Sequence, residues 1–396
     1  MRFYKAIFLF FVCSFSIFLS GCTLNQTTKI EEAKKYPSGI FKTINNGQIW
    51  DSKSFVEKTE NRVVSISDSL VYNIDFSPIN NDMVVTTRNN GVYYSTNKGE
   101  QWNPLFTIGK NVKAFSFNPR STASFYVGYQ NKLYKTDNYG KDWKVIYSDP
   151  DSTIVSVRVD YLKSSNIYVF FADGRILKTE DGTSFKVVYN FLNRPKDSDT
   201  VNHSYTTDSA KPYAIRDVYF YEKSASNFYV VTNDGRLYFT ENEGESFVEI
   251  GLNNNISGRV RFITFYPGAT SSFIVTTDVG IYRTFDMGEN FETIDILTNK
   301  NKNVTALAIS PKNDEIIYYA LGDLIYRTSN GGETWNTMPS PVTRTISTLK
   351  IDPENSNSIY LGSDIDNRLV EDTNNQNLFC EFFGILFPQF CTKTSN

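Results

Sequence analysis

A short motif recurs seven times along the 396-residue chain and limits the folds that the chain can adopt. Each copy has an apolar-aromatic pair, Ser or Thr, any residue, Asp or Asn, any residue, Gly, two further residues and an aromatic. The copies carry at the polar position, in order, Asn45, Asn97, Asn138, Asp181, Asn242, Asp286 and Asn330. The fourth copy, around Asp181, is one residue shorter. Successive motif glycines are 52, 41, 42, 62, 44 and 44 residues apart, and a period of about 40–45 residues is typical of a four-stranded propeller blade.

Each motif position has a physical role in a tight turn. The Asp or Asn side chain can accept hydrogen bonds from backbone amides of its own turn. The Gly supplies a positive φ that other residues resist. The aromatic begins the next strand and packs a large apolar surface between neighbours.

A second recurrence completes the repeating unit. Upstream of each copy from the second onward lies an apolar strand that ends near a turn, and in five units that turn holds Pro78, Pro119, Pro267, Pro311 or Pro353. A second strand follows. The unit is therefore predicted to be strand 1, turn, strand 2, tight turn, strand 3, motif and strand 4.

The two ends of the repeat region complement each other. Residues 39–55 offer strands 3 and 4 alone, and residues 346–363 offer strands 1 and 2 alone. We therefore predict an all-β fold over residues 39–365, a seven-bladed β-propeller of four-stranded antiparallel blades. The ring would be closed by pairing the N- and C-terminal strands. An open β-solenoid is the alternative, but it would not need complementary halves.

The first 22 residues differ from the rest. Arg2 and Lys5 precede an apolar run and a small-residue cleavage site, as in a secretory signal. The sequence Leu19-Ser20-Gly21-Cys22 resembles the lipobox of bacterial lipoproteins. The resemblance implies a signal peptide at 1–21, lipid on Cys22, a tether over 22–38 and attachment to a membrane of the bacterial cell envelope, outside the cytoplasm. Which membrane is left open, and an ordinary signal peptide that contains a Cys is the alternative.

Export also bears on the remaining cysteines. Cys380 and Cys391 form an even pair in a tail at 366–396, and an exported chain meets an oxidising compartment. We predict a disulfide between them that closes a short, Phe-rich loop. Two free buried thiols are the alternative.

The repeats over residues 39–365 resemble the Asp-box (BNR) superfamily. Its members include sialidases, xyloglucanase-type glycoside hydrolases, the sortilin ectodomain and photosystem II assembly-factor propellers. The resemblance implies that the motif is a structural turn on the face opposite the ligand site, so the seven Asp and Asn residues are not assigned to catalysis. Because one fold serves enzymes and binders, function has to be argued from the site.

The sequence favours a protein that is not an enzyme. Sialidases of this superfamily carry an Arg-Ile-Pro type motif before the first blade, and residues 29–39 lack it. A glycosidase needs two carboxylates across a sugar, and the acidic residues at strand 2–3 turns are more simply turn formers: Asp173, Asp234, Asp278 and Asp323. His203 is the single histidine and has no recognisable nucleophile partner. We therefore expect no cofactor and no metal site, and the net charge of −3 predicts no nucleic-acid partner.

A binding site is predicted on the face of the strand 2–3 turns and strand 4–1 links, which the insertion at 190–214 overhangs. Strand 1 lines the axis and carries five cations, Lys113, Arg158, Arg216, Arg261 and Lys350. They could receive an acidic peptide or a carboxylate, or they could pair locally with Asp75 and Asp217. The leading hypothesis is a monomeric, membrane-anchored binding or assembly module for a protein, a peptide or an envelope glycan. The alternative is a glycoside hydrolase or carbohydrate-binding propeller.

Overall fold

A computed structural model describes residues 38–58, 63–193, 213–221, 227–251, 256–269, 271–297 and 303–364. The predictions for the signal segment, Cys22, His203, most of the 190–214 insertion, and Cys380 and Cys391 in the tail lie outside these ranges. Within them, the chain forms β-strands and one short 3-10 turn, Phe191–Asn193. No helix among the described residues is long and apolar enough to cross a bilayer.

The chain begins with part of the last blade and a small hairpin. These elements are β1 (Gly39–Thr43), β2 (Asp51–Ser52), β3 (Phe55–Lys58) and β4 (Val63–Ser65). Strands β1 and β2 pair with each other, and β3 pairs with β4 in a separate two-stranded sheet.

Six complete blades follow, each a four-stranded antiparallel sheet with its strands in chain order. Blades one and two contain β5 (Val71–Phe76), β6 (Met83–Thr87), β7 (Val92–Ser95), β8 (Asn103–Phe106), β9 (Ala114–Asn118), β10 (Ser121–Tyr129), β11 (Lys132–Thr136) and β12 (Lys144–Ser148). Blades three and four contain β13 (Ile154–Val159), β14 (Ile167–Phe171), β15 (Arg175–Thr179), β16 (Lys186–Asn190), β17 (Ile215–Phe220), β18 (Phe228–Thr232), β19 (Leu237–Thr240) and β20 (Val248–Ile250). Blades five and six contain β21 (Val260–Phe265), β22 (Phe273–Thr277), β23 (Ile281–Thr284), β24 (Glu292–Ile294), β25 (Val304–Ile309), β26 (Ile317–Leu321), β27 (Leu324–Thr328) and β28 (Asn336–Met338).

Blade seven joins the two ends of the propeller. Its strands are β29 (Thr345–Ile351) and β30 (Ile359–Asp364) followed by β1 and β2, in the order β2-β1-β30-β29. β1 pairs antiparallel with β30 from Gly39 opposite Ser363 to Thr43 opposite Ile359. The predicted seven-bladed propeller, with its ring closed by terminal strands, is confirmed.

The core lies between the blades. Six of the seven second strands are buried along their whole length, as in Met83–Thr87, and β10 is buried over residues 124–128. Each second strand has a neighbouring blade on both faces, which is why these strands read as continuous apolar runs rather than alternating ones. The buried residues form seven apolar clusters around the ring.

The seven motif turns between strands 3 and 4 share one hydrogen-bond pattern. In the first, the Thr43 hydroxyl donates to Asn45 Oδ1 at 2.7 Å and accepts the Gly47 N–H at 3.1 Å. Asn45 Oδ1 also accepts the N–H of Ile49 at 2.9 Å. In the shorter fourth copy, Asp181 Oδ1 accepts the N–H groups of Thr183 and Ser184 instead. A side chain thus satisfies backbone donors that the turn leaves unpaired.

The aromatic that follows each motif turn links its blade to the preceding one. All four tryptophans of the chain stand at this position, and their indole N–H groups donate to backbone carbonyls of the chain just before their own blade. The pairs are Trp50 with Pro339, Trp102 with Lys53, Trp143 with Leu105, and Trp335 with Asp295. Phe185, Phe247 and Phe291 occupy the other three positions.

The hairpin β3–β4 accounts for the long first gap between motifs. The backbone N–H of Trp102 donates to the Phe55 carbonyl at 2.9 Å. Val56 and Ile66 are buried in one cluster with Ile40 and Trp102. The additional residues therefore pack across the seam between blades seven and one.

Candidate binding site at the channel mouth

The antiparallel blades give the propeller two faces. The strand 1–2 turns and the motif turns lie on one face, which we call the motif face. The two kinds of turn are in contact there: the N–H of Met287, in a motif turn, donates to the carbonyl of Ser271, in the strand 1–2 turn of the same blade. The strand 2–3 turns and strand 4–1 links lie on the other, the mouth face. There, the first residue of an innermost strand donates its N–H to the strand 2–3 turn of the preceding blade, as Ile154 does to Gln130 at 2.7 Å.

Six of the seven innermost strands contain a β-bulge at the same place. In blade four, for example, Ile215 pairs with Thr232 and Asp217 with Val231, so Arg216 is the additional residue. Lys113 stands at the equivalent position in blade two, because Ala114 pairs with Gly128 as Ser156 pairs with Phe170. We call the seven residues at this position the bulge ring: Tyr72, Lys113, Val155, Arg216, Arg261, Thr305 and Ser347. Bulges re-aim side chains and are frequent beside active sites.

Three of the five predicted cations belong to the bulge ring, and backbone carbonyls and one carboxylate hold two of them. The Lys113 ammonium lies 2.7 Å from Asp217 Oδ1 and donates to the Arg216 carbonyl at 3.1 Å. Arg216 Nε lies 3.2 Å from Asp217 Oδ2, and its Nη2 donates to the carbonyls of Val260 and Arg261. Arg261 is itself buried. The mouth-face end of the channel thus has three cations and one carboxylate on the innermost strands.

The other two cations lie at a second level. Arg158 and Lys350 stand three residues beyond the bulge position, about 10 Å further along their strands, at the level of Asp75. The Lys350 ammonium lies 3.5 Å from Asp75 Oδ1. Arg158 Nη1 donates to the carbonyls of Phe115 and Val157, and burial lowers the pKa of its guanidinium, although Asp75 opposes this change.

The structure therefore separates the five cations that the sequence grouped on one face. It also shows local ion pairs, which were the alternative reading of the same residues. These pairs use both carboxylates of the innermost strands, yet five cations face two carboxylates along the channel. The arrangement can bind an anion at the mouth, because partly buried cations that backbone carbonyls hold in place need little reordering to receive one.

Three of the four carboxylates at the strand 2–3 turns, those of Asp173, Asp234 and Asp278, are engaged by arginines. Asp173 lies 2.7 Å from a guanidinium nitrogen of Arg175, and Asp278 lies 3.1 Å from Nε of Arg259. Asp278 also accepts the N–H of Arg259 at 2.8 Å, which connects this turn to the link before β21. Asp234 pairs in the same way with Arg236 at 3.2 Å. Asp173 also accepts the N–H of Arg175, two residues further along its own turn, at 3.1 Å, in line with the turn-forming role that the sequence favoured for it.

Sequence reasoning missed the arginines of this rim. A signal was present, since Asp-Gly-Arg occurs at residues 173–175 and again at 234–236, each time at a strand 2–3 turn. A further pair on this face, Arg88 with Asp364, joins blade one to blade seven at 2.8 Å, and the Arg88 guanidinium stacks on the ring of Tyr72. The mouth is therefore surrounded by paired charges.

The described ends of the 190–214 insertion lie on the mouth face, between β16 and β17. Phe191 is fully buried and packs against Tyr189, Tyr238 and Phe247, which anchors the start of the insertion. Across the described part of the chain, no group of three or more His, Cys, Asp or Glu side chains could hold a metal ion.

No protein-family model matches the sequence, and no curated protein sequence matches it. Solved structures with the same fold include YCF48 from Cyanidioschyzon merolae, which is 20% identical with a TM-score of 0.57, over 74% of this chain and 95% of that one. A structure of YCF48 bound to D1 peptide is 12% identical with a TM-score of 0.54, over 74% of this chain and 93% of the other.

Two glycoside hydrolases are also similar. The GH74 xyloglucanase from Xanthomonas campestris is 14% identical with a TM-score of 0.58, over 75% of this chain and 51% of its own. The GH74 enzyme from Niastella koreensis is 14% identical with a TM-score of 0.59, over 82% of this chain and 53% of its own. The chain thus spans about half the length of these enzymes. At such identities the likeness establishes the β-propeller fold alone, which this chain shares with a peptide-bound protein and with hydrolases.

Proposed function

We propose that this protein is a non-enzymatic binding or assembly module of the bacterial cell envelope, which takes an acidic peptide segment at the mouth of its central channel. The observation that carries the proposal is the clustering of Lys113, Arg216 and Arg261 at one end of the channel, with Asp217 as the single carboxylate among them on the innermost strands. Guanidinium groups suit carboxylate ligands because their planar donors match the two carboxylate oxygens.

The location completes the proposal. The basic start, apolar run and lipobox-like sequence support export and lipidation of Cys22, so the propeller would be held at a membrane by a tether. An oxidising compartment would in turn favour the disulfide between Cys380 and Cys391. The structural likeness to peptide-bound YCF48 supports a peptide ligand as a possibility of this fold.

A glycan-directed function is the second candidate, favoured by the likeness to the two GH74 enzymes. A glycosidase needs one carboxyl group as acid and a second as base or nucleophile. Three of the four acidic residues at the strand 2–3 turns, Asp173, Asp234 and Asp278, form ion pairs with arginines. That engagement supports the binding module over the hydrolase.

The test is binding of a fluorescent Glu- and Asp-rich hexapeptide, and separately of xyloglucan oligosaccharides, to the purified mature protein at low salt. We expect the peptide to bind, and Arg216→Glu with Arg261→Glu to weaken binding at least tenfold. Lys113→Gln, at a half-exposed side chain, gives the same direction without disturbing buried contacts.

The matched control is Lys163→Glu with Lys312→Glu, which makes the same charge change on the motif face at two exposed lysines. Equal losses in the two double variants would show that only net charge matters and would overturn the mouth as the site. Hydrolysis of the oligosaccharides would favour the second candidate instead.

A further inference from the structure

Both ends of the described propeller lie on the mouth face. β1 begins at Gly39 opposite Ser363, and β30 ends at Asp364 opposite Thr345, the first residue of innermost strand β29. Every other blade has a strand 2–3 turn at this place. In blade seven the chain enters and leaves there instead.

The number of residues between Cys22 and the propeller bears on which face can approach the membrane. Cys22 precedes Ser38 by sixteen residues, a number that in an unstructured chain would span on the order of 22 Å on average. The blades are five to six residues tall along their second strands, or about 20 Å. To bring the motif face to the membrane, the tether would have to pass the full blade height and the outer strand. Entropy therefore favours the mouth face as the one next to the bilayer.

A second segment leaves on the same face. Residues 378–391 contain eight apolar or aromatic side chains besides the two cysteines and one proline, and they begin fourteen residues after Asp364. Moving this many apolar side chains out of water is favourable, so a tail that starts on this face would favour a membrane on the same side.

We infer that the mouth face is turned toward the membrane that holds Cys22, and that the ligand of the bulge ring is an acidic segment of a protein close to the surface of that same membrane. The inference rests on the proposed lipid anchor and the proposed mouth site. A site that opens toward the bilayer receives segments that stand near it, at high effective concentration.

Energy transfer tests the orientation. A donor dye is attached to one introduced cysteine of the lipidated protein, in a Cys380→Ser and Cys391→Ser background, in phosphatidylethanolamine and phosphatidylglycerol vesicles that contain rhodamine-labelled lipid. Ile108→Cys and Leu324→Cys place the dye on the mouth face, and Leu162→Cys and Ile79→Cys place it on the motif face. The native side chains are exposed by 58% and 41%, and by 60% and 45%, respectively. We expect stronger transfer from both mouth-face positions.

Equal transfer from the two faces, or stronger transfer from the motif face, would overturn the orientation. Cys22→Ala separates this result from a failure of the anchor. If that variant, with residues 378–391 also removed, still sediments with vesicles, the lipid anchor on Cys22 is wrong, whichever face gives the stronger transfer.

A vesicle-aggregation assay tests the ligand. The acidic hexapeptide is attached without a spacer to phospholipid headgroups, either in the vesicles that carry the protein or in separate ones. The inferred orientation gives binding within one vesicle, lost on Arg216→Glu with Arg261→Glu, and no aggregation. Aggregation of the separate vesicles would show that the mouth faces away from the membrane. Absence of binding by free and attached peptide alike would contradict the proposed function itself.

Discussion

The Lys113 ammonium in blade two lies 2.7 Å from the Asp217 carboxylate in blade four, so the side chain reaches past the innermost strand of blade three. Val155 stands at the equivalent bulge position there, and its apolar side chain offers Lys113 no partner. Asp217 also pairs with Arg216 at 3.2 Å. One carboxylate thus holds two cations of the mouth and competes with an incoming anion.

This relationship predicts a variant that binds more tightly. Asp217→Asn removes the competing charge and should strengthen binding of the acidic hexapeptide roughly fivefold, about 1 kcal/mol, the upper range for a partly exposed ion pair. Asp75→Asn, at the second level of the channel, should change the affinity less, because added salt and distance weaken its influence. Titrations at two salt concentrations would check both values. An unchanged or weaker affinity for Asp217→Asn would contradict the mouth as the anion site.

Two glycines of the motif turns form a matched pair for stability. Gly140 and Gly182 both have φ of 75°, but a Cβ on Gly140 would stand 2.4 Å from the Leu105 carbonyl oxygen, whereas a Cβ on Gly182 meets nothing within 4 Å. Gly182→Ala should cost about 1–2 kcal/mol of unfolding free energy from the left-handed backbone alone. Gly140→Ala should cost about 1–3 kcal/mol more from the clash. Urea unfolding would measure both changes. Similar losses of unfolding free energy would show that the contact between blades at Gly140 can shift to accommodate a methyl group.

The indole hydrogen bonds of Trp102 and Trp143 predict that replacing the two residues lowers the unfolding free energy by different amounts. Trp102 is fully buried and its N–H donates to the Lys53 carbonyl at 2.7 Å, whereas Trp143 is half-buried and donates to Leu105 at 3.1 Å. Trp102→Phe should lower the unfolding free energy by about 2–4 kcal/mol, from an unpaired carbonyl and a cavity. Trp143→Phe should lower it by about 1 kcal/mol, the hydrogen bond alone. Denaturant midpoints would rank the two variants. The reverse ranking would argue that the packing of the hairpin β3–β4 against Trp102 does not stabilise the seam between blades seven and one.

Asp149 predicts part of the acid sensitivity. Burial raises the pKa of its carboxyl group. Hydrogen bonds from Arg175 and from the N–H groups of Asp151 and Ser152 lower this pKa by more than burial raises it, so the pKa lies below its usual value. A carboxyl group whose pKa is lower in the folded state than the unfolded value of about 3.9 adds stability above that value. The added stability is lost as the pH falls through the folded pKa.

The measurement compares Asp149→Asn with the parent chain. We expect the variant to be less stable at pH 7, and the difference to shrink as the pH falls below about 4. Urea midpoints at pH 7, 5, 4 and 3 would follow it. A difference that stays constant over this range would show that the Arg175 contact does not depend on the charge of Asp149.

The repeating unit, the number of blades and the pairing that closes the ring could all be predicted from the order of residues along the chain. These follow from local chemistry: glycines at 47, 99 and later positions must take a positive φ, and the polar residues two positions before most of them satisfy the turn. Half-blades at residues 39–55 and 346–363 have only each other to pair with. None of this requires knowledge of distant neighbours, so these features could be predicted from the sequence pattern.

Which charged side chains come into contact could not be predicted in this way, because it depends on the folded structure. Lys113, Arg158, Arg216, Arg261 and Lys350 look alike in sequence, but their positions along the innermost strands put three of them at the mouth and leave two about 10 Å deeper. The partners of Arg175 and Arg88 depend on turns in other strands or blades. The surroundings of a cation depend on the strand register and on neighbours that only ring closure brings together. The local pattern of residues predicts neither of these.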